Sequence, residues 1–128
     1  MGLDIHLEAD TRMSMAHLAD AVNAVGGVEL AQNEQSLEAR FESGLCLSGF
    51  YEVEDPAIRA QGLHDLAFTV ATRGYLRIKG PVPEDADPLA DVRALMEQLA
   101  ARCDACFLLS FQYESLMYWR DDAGLHVL

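Results

Sequence analysis

The chain has 128 residues, the length of one domain that buries roughly two-thirds of its unfolded surface. Its composition, 51% apolar and 23% charged, excludes a disordered chain, and no apolar run approaches the ~20 residues of a membrane span. Twenty-one acids against nine Lys and Arg give a net charge of −12, with Lys79 the one lysine; this excludes nucleic acid, whose binding rests on cationic phosphate contacts, and disfavours an anionic membrane.

The opening MGLDIHLEAD lacks a basic n-region and an apolar h-region, and places His6 where a myristoylation signal needs Ser or Thr. A cytoplasmic chain is expected. Three cysteines, Cys46, Cys103 and Cys106, without a secretion signal argue against a disulfide framework.

Along the chain, Leu3, Ile5 and Leu7 alternate with Asp4 and His6, which predicts a half-buried strand. Met15, Leu18, Val22 and Val25 follow at helical spacing, with Ser14 as N-cap and Gly26 as stop. The runs 28–32, 36–41 and 45–53 read as a meander of strands, and 54–65 as a loop with room for one helical turn after Pro56. From Leu66 the alternation Leu66, Phe68, Val70, Thr72, Leu76, Ile78 predicts one long bent strand, or two meeting at Arg73-Gly74. After the acidic connector 80–88, Asp87 and Pro88 open a second helix whose buried stripe is Leu89, Val92, Met96, Leu99 and Cys103. An apolar strand at 106–112, a strand at 115–120 and a short 125–128 close the chain across the turn 121–124.

The order β-α-β-β-β thus occurs twice. The letters echo it: 18-LAD-20 and 32-QNEQSLEARFESGL-45 against 89-LAD-91 and 112-QYESLMYWRDDAGL-125. The expectation is an α+β fold over 1–128. Two tandem β-α-β-β-β-like modules, about 1–54 and 66–128 joined by loop 54–65, place two helices on a mostly antiparallel sheet.

No motif specifies a reaction. Cys103-Asp-Ala-Cys106 lies where a helix exits, at the negative end of its dipole, which disfavours a thiolate; the cysteines read as structural. His6, His17, His64 and His126 are scattered singly, G-x-S-x-G is absent, and Cys46 or Ser48 lies in a meander and not at a strand-to-helix elbow. Acids cluster at Glu52, Glu54 and Asp55, at Glu84, Asp85 and Asp87, and at Asp121-Asp122.

Paired modules of this order resemble the vicinal-oxygen-chelate superfamily, which implies metal ligands on the opening and closing strands. His6 and Glu52 match two of these, but Arg73, Tyr75, Arg77 and Lys79 stand where another ligand is needed, and cations repel a metal. This metalloenzyme or small-molecule-binding protein is the alternative expectation. In overall character, from strand-helix-meander order to the ending 107-FLLSFQYESLMYWRDDAGL-125, the chain resembles immunity proteins of polymorphic, contact-dependent or type VI toxin systems. That resemblance implies binding without catalysis, no cofactor and no metal. The partner would be a basic toxin domain, met by a monomer or homodimer. The candidate partner-binding residues are the acids Glu52, Glu54, Asp55, Glu114, Asp121 and Asp122, with Tyr113, Tyr118, Trp119 and Arg120 as anchors. If Trp119 faces the core, it packs instead of anchoring.

Overall fold

A computed structural model describes residues 4–51, 54–61, 66–78 and 82–127. It shows an α+β fold: eight antiparallel strands in one sheet, with two helices packed against it. The strands are β1 (Asp4–Ala9), β2 (Glu29–Gln32), β3 (Ser36–Arg40), β4 (Leu45–Tyr51), β5 (Thr72–Ile78), β6 (Phe107–Phe111), β7 (Ser115–Asp121) and β8 (Gly124–Val127). The helices are α1 (Met15–Val25) and α2 (Pro88–Arg102). Spatial order is β2-β3-β4-β5-β1-β6-β7-β8. The first meander enters the sheet by its last strand, next to β5, and the second by its first strand, next to β1. Among the described residues, β2 and β8 form the edges.

Local chemistry sets the helix limits. The Ser14 hydroxyl accepts from the His17 N–H while the Ser14 N–H donates to His17 Nδ1, a capping box in which His replaces the usual Glu. Gly26, at φ 102°, supplies the left-handed residue that ends α1. Asp87 caps α2 by accepting from the Ala90 N–H, and Pro88 follows at the first helical position.

Ile5, Leu7, Ala9, Leu45, Leu47, Leu76, Phe107 and Leu109 point from the sheet to the helices and meet Met15, Leu18, Val22, Val92, Leu95, Met96 and Leu99. Gly49 and Gly74 sit opposite each other across β4 and β5. A Cβ on either would lie 3.1 Å from Leu18 or Leu7, so the pair makes room for close packing under α1. The α2 stripe differs from expectation at two residues: Leu95 is buried, and Leu89 is 47% exposed while its neighbour Pro88 is buried.

A second difference concerns 66–78. Only Thr72–Ile78 forms a strand, and the alternation over Leu66–Ala71 belongs to a strap that crosses the sheet face opposite the helices. Leu66 and Ala60 pack there with Ile58, Phe68, Leu108, Leu116 and Trp119, so the period of two reflects burial against a sheet and not membership of it. Residues 54–61 contain no helical turn. The strap's base is closed by Val70 N–H donating to Pro56 O, and Ala71 N–H donates to Ala9 O.

Under the strap lies a buried ion pair. Glu8 on β1 and Arg73 on β5 face each other across the ladder, 2.8 Å apart, with side chains 1% and 3% exposed. Glu8 also accepts the strap's Arg59 and Ala60 N–H groups, and Arg73 donates to the Asp55 and Ala57 carbonyls at 2.8 Å. Arg73→Met leaves a buried carboxylate without its counter-charge and is expected to lower stability by about 3–5 kcal/mol. Urea unfolding should show the double variant Glu8→Gln, Arg73→Met recovering at least ~1 kcal/mol of that loss.

Candidate functional site

The strap covers one half of the face opposite the helices. At its margin, β1 and β5 present Asp4, His6, Tyr75 and Arg77, and the β6–β7 turn adds Tyr113. Tyr75 O–H donates to Asp4 Oδ1 at 2.6 Å, and the Arg77 guanidinium donates to the same phenol oxygen. His6 stacks on Tyr113 at 3.9 Å and tilts against Tyr75 at 5.1 Å.

The Tyr113 position has a backbone cost. Gln112 and Tyr113 both adopt positive φ, 53° and 62°, in a turn closed by Glu114 N–H donating to Phe111 O at 2.9 Å. This geometry favours Asn-Gly, and each non-glycine residue there costs about 1–2 kcal/mol. In return Tyr113 lies flat on His6, and its carbonyl accepts from the strap's Gln61 N–H at 2.8 Å. Beside His6 across the β1–β6 ladder, the buried Ser110 hydroxyl has no hydrogen-bond partner among the described residues.

The second concentration of polar groups is a cleft of about 490 Å³ where the end of α1, the β3–β4 turn and the start of α2 meet. Glu42, Glu84, Asp85, Asp87 and Asp91 line it over an apolar floor that includes Val25 and Phe41. The Ser43 hydroxyl donates to Asp91 Oδ2 at 2.6 Å, tying the β3–β4 turn to α2. No Lys or Arg stands among the described lining residues.

The sequence candidates do not converge on one surface. Glu52 lies outside the described residues. Glu54 is exposed at the strap's start, whereas Asp55 is paired within the strap: its carboxylate accepts from Arg59 Nε and Nη2 and from the Ala57 N–H. Tyr113 and Glu114 sit at one end of β7, and Asp121 and Asp122 at the other, about 20 Å away. Tyr118 and Trp119 point to opposite faces. Tyr118 packs on the main core and Trp119 on the strap cluster, where it stacks on His126 at 5.3 Å. Arg120 donates to the Ala105 carbonyl at 3.0 Å, which makes it a brace between β7 and the end of α2. The convergence of Glu42 and Asp91 on the 84–87 acids was missed. Asp91 lies one helical turn beyond Asp87, but Glu42 sits on a turn nearly fifty residues away, and nothing in its local spacing signals the meeting.

Among the cysteines, Cys103 is buried, its thiol donating to Leu99 O at 3.3 Å and its pKa raised by burial. Cys106 Sγ accepts from Arg12, whose guanidinium also binds Asp10 at 2.7 Å. Burial pushes the Asp10 carboxyl up, but hydrogen bonds from Arg12 and from the Arg12 and Cys106 N–H groups outweigh it and hold its pKa low. Among the described residues, no group of three or more His, Cys, Asp or Glu is placed to hold a metal. No helix there is long and apolar enough to cross a membrane.

No family model matches the chain, and no solved structure matches it. The chain is similar to part of a polyketide synthase, ThaG, of Burkholderia thailandensis: 32% identical over 101 residues, covering 74% of this chain. The match spans about 2% of that protein's length.

Burial, the largest influence, lowers the His6 pKa from its ordinary 6.5; Asp4 and Glu8 oppose this, and Arg59 adds to it. Above 6.5 His6 is neutral both folded and unfolded. As pH falls below 6.5 the unfolded chain takes up the proton first, so stability declines until pH passes the lower folded value, then levels. Urea midpoints at about pH 7.5 and 5 should therefore differ more for the native chain than for His6→Gln, which removes this contribution while leaving the other histidines in place.

Proposed function

We propose that the chain is a non-catalytic acidic binding protein that neutralises a basic toxin domain, acting as a cognate immunity protein of a contact-dependent or type VI effector system. The observation that carries this reading is the cleft whose wall gathers Glu42, Glu84, Asp85, Asp87 and Asp91 without a described cation. On a chain of net charge −12 such a concentration of like charge accelerates encounter with a basic surface. The exposed Val82 and Leu89 flank these acids in the chain and supply apolar contact once the surfaces meet.

A second reading is favoured by one observation, the 101-residue match within a polyketide synthase. On it, the chain is an interaction segment of a multi-enzyme assembly, and the same acidic surface meets a basic part of that assembly. Both readings require binding. They differ in the partner.

Co-expression with the products of flanking genes, followed by pull-down at low and high salt, separates them. The first reading expects a toxic basic domain that is captured and whose toxicity is relieved; the second expects a synthase polypeptide and no relief. In either case, Glu84→Lys with Asp85→Lys, both exposed and outside the helix cap, should slow association about tenfold or more and flatten its salt dependence. Unchanged kinetics would remove the cleft from the interface.

A further inference from the structure

We propose that the β8 edge is a strand-addition surface for an extended segment of a protein partner in which apolar and basic side chains alternate. This rests on the acidic-binding reading above and assigns a second contact to the same partner.

The two edges of the sheet differ. On β2, Glu29 is bound by Arg40 of the neighbouring strand at 3.0 and 3.1 Å, which places an ion pair on the edge. Charges of this kind discourage a further strand. β8 reads Gly-Leu-His-Val, with no Lys, Arg, Asp, Glu or Pro, and Val127 is 60% exposed. The hairpin closes on the pair Asp121–Gly124, with Gly124 at φ 121°. Antiparallel pairing alternates from that closing pair, so the backbone groups of Leu125 and Val127 point away from β7, toward an incoming strand.

The two faces flanking the edge call for different chemistry. On the helix side, Tyr118, Leu125 and Val127 line a groove of about 200 Å³ against Arg93 and Glu97 of α2, which pair with each other at 3.1 Å. This side accepts apolar side chains. On the strap side, Asp121 holds His126 Nε2 at 2.9 Å, and Trp119 stacks behind the His126 ring. A half-exposed carboxylate beside an aromatic ring suits Lys or Arg. An extended chain sends successive side chains to opposite faces, so a strand alternating apolar and basic residues satisfies both sides while its backbone bonds to β8. The net charge of −12 opposes pairing of β8 with its copy in a second chain, which favours a basic partner over self-association.

The test is an amide NMR titration of the full chain with a short acetylated peptide of alternating valine and lysine. A valine–glutamate version and a version N-methylated at alternate residues serve as controls. The expected result is shifts and slowed exchange centred on Leu125 and Val127, with at least about tenfold weaker binding for either control. Val127→Lys, which keeps the backbone donor and adds like charge, should weaken binding to a similar degree. Val127→Pro, checked for an intact spectrum elsewhere, should abolish it.

Binding that ignores N-methylation or persists in Val127→Pro overturns the proposal, as does a dimer through β8 in the absence of peptide. If the basic peptide instead perturbs Glu42 and 84–91 alone, the edge proposal fails and the acidic-binding reading stands. If β8 binds both peptides equally at every salt concentration, the choice of a basic segment and the acidic reading both fail. Silence throughout counts against both.

Discussion

The Glu8–Arg73 pair decides how this sheet is covered. Two charges held under 5% exposed carry a desolvation penalty of several kcal/mol each, repaid only when geometry and hydrogen bonding are nearly complete. Both Glu8 oxygens are engaged, and two Arg73 nitrogens reach the carboxylate or strap carbonyls. Most of these partners are backbone groups of residues 55–60. The pair is therefore satisfied only when the strap is in place, and the strap's polar backbone is satisfied only when the pair is. β4 and β5 are adjacent antiparallel strands that a two-residue turn could join; instead, residues 55–60 of the segment between them cover the ion pair.

This coverage gives the molecule unlike faces. The helices seal one side with a continuous apolar core, while the strap seals only the part of the other side over β1, β6 and β7. The stacked Tyr113 and His6 mark the strap's margin, and the strained turn at Gln112-Tyr113 is retained because the same turn anchors Gln61. Aromatics that look like a display on β7 are thus partly committed to packing: Tyr118 on one side, Trp119 on the other. What remains available is their outer margin at the β8 edge.

Most elements were legible because each carries its period or its caps locally. Ser14, Gly26, Asp87 and Pro88 mark helix ends by satisfying backbone groups within a turn, and Ile5-Leu7 or Phe107–Leu109 mark strands by one-sided or two-sided burial. Leu66, Phe68 and Val70 misled for a physical reason. A chain lying extended on a sheet buries alternate residues as a strand does, and only backbone pairing separates the two. Glu8 was unreadable as a buried charge because its partner stands sixty-five residues away. Its companion acid Asp4, four residues earlier with the same parity, is half-exposed. The acidic cleft was half legible: the 84–87 cluster and Asp91, one helical turn beyond it, are local, whereas Glu42 joins them only through the fold.

The distribution of charge follows from how the arginines are spent. Among the described residues, seven arginines have a carboxylate within 4 Å: Arg12 at Asp10, Arg40 at Glu29, Arg59 at Asp55, Arg73 at Glu8, Arg77 at Asp4, Arg93 at Glu97 and Arg120 at Asp104. Apart from Arg93–Glu97 on the outer face of α2, these pairs lie on the sheet, along the strap or at the turns that join them. None involves the five acids of the cleft. The surplus of negative charge is therefore not spread evenly. Pairing neutralises part of the sheet and strap side, and among the described residues a group of acids stands together where the 84–87 connector meets the β3–β4 turn. Exposed ion pairs contribute little to stability, so their main physical effect is to decide where the net charge is felt. On the proposed reading, a basic partner would be steered by that charge to the cleft, and the β8 edge would offer it a contact of a different kind.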